Sequence, residues 1–313
     1  MGSCHRAAAR ACGAQIVAVV DPDAEAAAAL AGKDADAASF TDLDTCLRAL
    51  SPEVVHVCAP PEAHLSLVQQ AVDASCHVLV EKPVVRSRAE LAEILDGAAG
   101  AGVQVVPVHQ FPFQRGVREI LAARESLGEI VAVSYRTSSA GGRGWSPAAR
   151  RDLVADILPH AASLFWAFAP GFDAEQLDVE VDGEEAWVAG RSGGVRLEAF
   201  VTLRGRPPRN ELEVVGTRAS ATADLFHGFA VFDRGSVSGW GKATRPLAAG
   251  ARLLGTAGAN GVGRLLRREF AYPGLRELVD EFYAGLEDAR GAPLTEAELI
   301  AATTLVERAR PSS

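Results

Sequence analysis

Two short stretches hold side chains able to move protons. The first is Val78-Leu79-Val80-Glu81-Lys82-Pro83, an apolar run that ends in a carboxylate and an ammonium and is stopped by proline. The second is Asp156-Ile157-Leu158-Pro159-His160, which sets a carboxylate and an imidazole four residues apart, on one face if the segment is helical. A lysine, a histidine and a carboxylate are the parts needed for proton transfer beside a hydride acceptor. Asp156 would orient His160 and hold its tautomer. Asp21 adds a third feature. It closes a β-branched run at residues 15–20, where a carboxylate accepts both ribose hydroxyls of an adenosine. No arginine follows it closely, and Asp21 and Asp23 repel a 2′-phosphate, so NAD is expected and NADP disfavoured.

Taken singly, each of these residues has an ordinary reading. Glu81-Lys82 is a surface ion pair, Asp21 a turn aspartate before proline, and His160 a packing residue. Their order within a folding pattern is what gives them weight. His64 and His109 fall at strand-end loops and rank second, whereas His5, His56, His77 and His227 read as structural.

The elements that must position these groups alternate strictly in the first third. Strands are expected at residues 15–20, 54–58, 77–80 and 103–108, and helices at 3–12, 24–30, 42–50, 62–75 and 88–100. The strands are apolar on both faces, which predicts a parallel sheet covered by helices, of α/β class. Asp21, Pro60, Lys82 and His109 then fall at the strands' carboxyl ends, the edge where such sheets bind ligands. Gly2 stands nineteen residues before Asp21 and suits the last glycine of a GxGxxG turn, whose strand and earlier glycines would lie upstream of Met1.

The pattern changes after His109. A helix is expected at 111–127, a strand at 129–137, a Gly-rich loop at 138–146 and a helix at 153–168 that carries Asp156 and His160. Short strands follow at 177–181, 185–189, 195–203, 210–215, 221–225 and 230–233, then helices at 247–270 and 275–289 and a capping-box start at 295–298. The expected division is residues 1–110 as the dinucleotide-binding domain and 111–313 as an α+β domain with an open, mostly antiparallel sheet.

Composition narrows the partners. With 313 residues, 48% apolar content and a formal net charge of −9, the chain reads as a soluble two-domain protein with no nucleic-acid surface. Five cysteines without a CxxC pair point to free thiols in a cytoplasmic protein, with no metal site. No apolar run is long enough for a membrane span.

These residues resemble the glucose–fructose oxidoreductase, inositol dehydrogenase and MocA family of nicotinamide-dependent oxidoreductases. The resemblance rests on Gly2-Ser3-Cys4-His5, Val19-Val20-Asp21-Pro22-Asp23, Ala59-Pro60-Pro61-Glu62-Ala63-His64 and His77 to Pro83, and on the Asp156-to-His160 spacing. It implies a Rossmann-type domain that lacks its first strand here, with cofactor contacts from Gly2, His5, Asp21, Ala59, Pro60, His64, Glu81 and Lys82. It also implies catalytic roles for Lys82 and His160, with Asp156 binding or orienting. Its substrates are sugars, cyclitols and their derivatives, and its second-domain sheet forms homodimers or homotetramers. Two positions depart from the pattern: Arg150-Arg151-Asp152 stand where paired glycines are usual, and His109-Gln110 replaces His-Asn. The arginines are positioned to narrow the site or to pair with an anionic substrate. The rival expectations are a catalytically inactive sensor of the same fold and a redox-neutral enzyme with tightly held NAD.

Overall fold

The computed structural model describes residues 1–234, 239–267, 272–288 and 290–310. The chain divides into two compact units, Met1–Val108 with Leu275–Thr303, and His109–Gly274 with Thr304–Ser313. Residues 275–303, which the sequence reading assigned to the second domain, pack with the first instead.

In the first unit the elements are α1 (Gly2–Ala11), β1 (Ala18–Val20), α2 (Ala24–Ala31), β2 (Ala38–Phe40), α3 (Leu43–Leu50), β3 (Val54–Val57), α4 (Pro61–Asp73), β4 (His77–Val80), α5 (Arg88–Ala101) and β5 (Val105–Pro107). Local chemistry sets most of the boundaries. Asp23 accepts from the N–H groups of Glu25 and Ala26 to start α2, and Asp42 caps α3 through Thr45. Ser87 and Glu90 form a reciprocal capping box at α5, which Gly102 ends at φ 69°. All strand pairs here are parallel, in two ladders, β1–β2 and β3–β4–β5. The strand β2 lies in a stretch that the sequence reading passed over. Val78, Leu79 and Val80 of β4 have no exposed surface, as expected of a central strand covered on both faces.

The second unit opens with a 3₁₀ turn (Phe111–Phe113), then α6 (Arg115–Ala122), α7 (Arg124–Leu127), β6 (Ile130–Ser138), α8 (Pro147–Ala155) and α9 (Leu158–Phe168). Six strands follow: β7 (Asp178–Asp182), β8 (Glu185–Ser192), β9 (Val195–Thr202), β10 (Arg209–Gly216), β11 (Ala219–Asp224) and β12 (Phe229–Arg234). They join β6 in one sheet of order β12-β11-β10-β6-β9-β8-β7, antiparallel except where β6 runs parallel to β9. One face buries Val133, Tyr135, Val188, Leu197, Val201, Leu212 and Val214, with α6 and α9 packed on it. The other face carries Trp187, which alternates with the buried Ala186 and Val188 and is 46% exposed, so the sheet is open on that side.

The chain ends with α10 (Gly239–Arg267), α11 (Leu275–Glu287) and α12 (Glu296–Arg308). The α11 stripe Leu275, Leu278, Val279 and Phe282 is buried at helical spacing, and α11 packs against α1. Residues 268–270 and 289, at the ends of two expected helices, lie outside the described residues.

Two expected helices are divided. The 111–127 segment is the 3₁₀ turn, α6 and α7. The 153–168 segment breaks at Asp156, the C-cap of α8, and Ile157, the N-cap of α9. Pro159 is the reason: it supplies no N–H and suits a first turn rather than a helix interior.

Gly116 shows how closely α6 approaches the sheet. A Cβ there would lie 2.5 Å from the Phe229 carbonyl carbon and 2.8 Å from the Ala230 nitrogen, both backbone atoms of β12. Helical glycine-to-alanine changes elsewhere gain about 0.5–1 kcal/mol. Here the clash decides the sign, and Gly116→Ala is expected to cost about 1–3 kcal/mol. A urea midpoint at or above wild type would show that α6 can move away freely.

Candidate functional site

Lys82 takes its place from the ladder behind it. Glu81 N–H donates to Val57 O at 2.9 Å, and Val108 N–H donates to Val80 O at 2.8 Å, so hydrogen bonding continues past the ends of β4 and β5. Lys82 follows directly, and its peptide bond to Pro83 is cis. Val84 and Val85 then return to the core. The lysine therefore stands at the carboxyl end of a buried strand, the position expected from its sequence.

Its neighbour Glu81 is a largely buried carboxylate, 13% exposed at the side chain. Burial raises its pKa, but the hydrogen bond from His5 and the charge of Lys82 outweigh that and hold it below the usual carboxylate range. His5, on α1, places Nε2 3.0 Å from Glu81 Oε1 and Nδ1 3.1 Å from Nδ1 of His56, in β3. His56 Nε2 in turn lies 2.9 Å from the Tyr283 hydroxyl, on α11. Burial, then His5, push the His56 pKa down to about 3, so this ring is neutral. The sequence reading left His5 and His56 as structural on their own residues and did not single out Tyr283. The available signal was a histidine inside the apolar run Val54–Val57, a polar group that must find partners if buried.

His64 has no exposed surface. Its Nδ1 lies 2.7 Å from Pro83 O and its Nε2 2.8 Å from Ala59 O. Carbonyl oxygens only accept, so a neutral ring donates one of these bonds and an imidazolium both. The ring ties the loop after β3, with Ala59 and Pro60, to the loop after β4, with Lys82 and Pro83. The enclosed side chain braces these two loops.

Asp21 ends β1, and its Oδ1 accepts from the Asp23 N–H at 3.0 Å. Among the described residues, neither Asp21 nor Asp23 takes part in a salt bridge, so this corner offers carboxylate without a cation. At α1 no side chain caps the first turn, which leaves the Gly2 and Ser3 N–H groups available to an anion. A Cβ at Gly2 would meet only Leu30 Cδ2, at an ordinary 3.5 Å, so packing does not demand glycine there.

In the second unit, Asp156 is 9% and His160 8% exposed. The expected single helix face for this pair is lost at the α8–α9 break. Asp156 Oδ1 accepts from Arg310 Nη2 at 2.6 Å, and Arg310 Nη1 lies 3.2 Å from Asp152. His160 stacks on Phe111, with ring centroids 4.1 Å apart at 21°. Arg150 pairs with Glu184, and Arg151 Nη2 donates to Val181 O, so both arginines at the atypical positions have partners within the chain. His109 is buried at 2% exposure. Among the described residues no cluster of histidine, cysteine or acidic side chains could hold a metal, and no helix is long and apolar enough to cross a membrane.

Residues 1–109 match the model of an oxidoreductase family with an NAD-binding Rossmann fold. D-glucoside 3-dehydrogenase of Escherichia coli (strain K12) is 30% identical over 142 residues, 44% of this chain and 40% of that protein. The chain thus spans under half the length of that relative. Levoglucosan dehydrogenase, solved with NADH and levoglucosan, superimposes with TM-score 0.72 at 16% identity, covering 99% of this chain and 93% of that one. GenD2 from gentamicin A biosynthesis, solved with NAD, gives TM-score 0.70 at 20% identity, over 98% and 89%. These structures share the fold, a Rossmann-type parallel domain followed by a mostly antiparallel one. The match to the glucose–fructose oxidoreductase, inositol dehydrogenase and MocA family thus lies in residues 1–109.

The His64 brace is open to test. His64→Leu removes the ring between the Pro83 and Ala59 carbonyls and leaves at least one of them without its donor, an expected loss of about 1–3 kcal/mol. An unchanged urea midpoint would mean that the two loops hold their places without the ring.

Proposed function

We propose that the chain is an NAD-dependent oxidoreductase acting on a secondary alcohol, or the matching ketone, of a sugar, cyclitol or related polyhydroxylated molecule. The observation that carries this reading is Lys82 at the carboxyl end of the buried β4 strand, beside a Glu81 carboxylate held ionised by His5. The family match of residues 1–109 and the dehydrogenase relatives support it. Asp21 and Asp23 favour NAD over NADP for the reasons of charge given above.

When bound, the nicotinamide supplies a hydride acceptor or donor. Lys82 stabilises negative charge on the reacting oxygen. His160 takes the hydroxyl proton in oxidation and returns it in reduction, its ring plane set by stacking on Phe111. Asp156 is fixed by Arg310 and serves to bind or orient. Asp21 and the Gly2–Ser3 N–H groups bind the adenosine and phosphate side.

Lys82→Met and His160→Ala are each expected to lower turnover by roughly 10²-fold or more, the scale for losing a positioned acid–base group. Titration of NADH and NADPH by fluorescence should favour NADH. Near-wild-type turnover in either variant would remove the catalytic assignment, and product formation without net NADH change would favour a redox-neutral cycle. The open sheet face that carries Trp187 is assigned to contact with a second copy of the chain. Trp187→Glu should then reduce the sedimentation coefficient, and a monomeric wild type would end that assignment.

A further inference from the structure

Tyr283, His56, His5 and Glu81 form three consecutive hydrogen bonds inside the first unit. The lengths are 2.9, 3.1 and 3.0 Å, and His5 is 1% exposed. Four elements or their ends contribute: α11, β3, α1 and the turn after β4. We propose that Tyr283 is a positioning residue for the Glu81–Lys82 pair, acting through His56 and His5 in a hydrogen-bonded chain of single polarity.

The polarity follows from counting donors. An ionised Glu81 only accepts, so His5 Nε2 carries a proton. A neutral His5 then offers a lone pair at Nδ1, and His56 must carry its proton on its own Nδ1. A neutral His56 therefore accepts at Nε2, and the Tyr283 hydroxyl donates there. Every nitrogen is satisfied and every proton points toward Glu81. The opposite direction would need Glu81 as a carboxylic acid.

The surroundings keep each member in that state. Burial, then the nearby Cys12, push the Tyr283 phenol up to about 12, so it remains a donor. Cys12 itself is pushed up to about 11 by burial and Asp280, with Arg276 opposing. At the other end, burial and Glu81 push Cys58 up to about 12, with Cys4 and the amino terminus also facing it. The thiols whose values are raised are thus neutral near pH 7. The charged groups around the chain are Glu81 and Lys82 at one end, Asp280 and Arg276 at the other, and the amino terminus.

The hydroxyl determines the charge beside Lys82. Without it, the His56 tautomer protonated at Nδ1 loses the O–H donor that favoured it over the Nε2 tautomer. In the Nε2 tautomer His56 Nδ1 accepts, so His5 must donate from both nitrogens to keep its two contacts. It becomes an imidazolium, cancels the Glu81 charge felt by Lys82, and lowers the lysine's proton affinity. The assignment of a catalytic role to Lys82 rests on the function proposed above, whereas the chain and its effect on Lys82 do not.

The test uses the whole chain without cofactor. In ¹⁵N-histidine NMR, wild type should show His56 protonated at Nδ1 and His5 at Nε2 near neutral pH. In Tyr283→Phe, which keeps the ring, His56 should change to the Nε2 tautomer and His5 should titrate at higher pH, by roughly one unit for one lost hydrogen bond. The pH dependence of Lys82 acylation by acetic anhydride, read by peptide mass, should move to lower pH by a similar amount. His56 protonated at Nε2 in wild type, or an unchanged His5 in the variant, would overturn the chain. Shifted tautomers with unmoved Lys82 reactivity would overturn the positioning role. Neither readout needs turnover, so loss of the oxidoreductase reading would leave this result standing.

Discussion

A strand covered on both faces has little room for charged side chains along its length, so such chemistry is deferred to its end. In β4, Val78, Leu79 and Val80 are wholly buried, and Glu81 and Lys82 are the first residues released from that constraint. The ladder then determines how freely they move. Because Glu81 N–H still donates to Val57 O, the backbone under the charged pair remains part of the sheet. A lysine on such a base loses less freedom when it meets a ligand than one on a free loop. The loops after β3 and β4 share the buried His64, so the edge that would meet a cofactor is braced from beneath.

Much of this organisation was legible in the chain because period and composition report burial directly. The apolar runs around β3 to β5, the capping signals of α2, α3 and α5, and the place of Lys82 all follow from local rules. The open sheet was legible too, through short strands with alternating patterns. What failed was local in one case and non-local in the others. Pro159 was a visible reason to divide the 153–168 helix, and the i, i+4 spacing of Asp156 and His160 was given more weight than it merited. The partner of Asp156 is Arg310, at the far end of the chain, and no periodicity connects the two. Likewise the apolar stripe of α11 announces that the helix is buried but not against what. Its packing on α1 returns residues 275–303 to the first unit.

That return of the chain explains how two imidazoles can be buried beside a carboxylate. Each polar nitrogen left without a partner in an apolar setting costs about 1–3 kcal/mol, and His5 and His56 together have four. Three hydrogen bonds satisfy all of them, but only if a donor closes the end away from Glu81. Among the described residues the donor bonded to that end is the Tyr283 hydroxyl, supplied by a helix more than two hundred residues further along the chain. A phenylalanine there would fill the same space and leave His56 unsatisfied. Because the donor must be a hydroxyl, the requirement is one of proton direction as well as volume. Satisfying the burial of the two rings and fixing the charge next to Lys82 are therefore the same physical condition, met by one side chain.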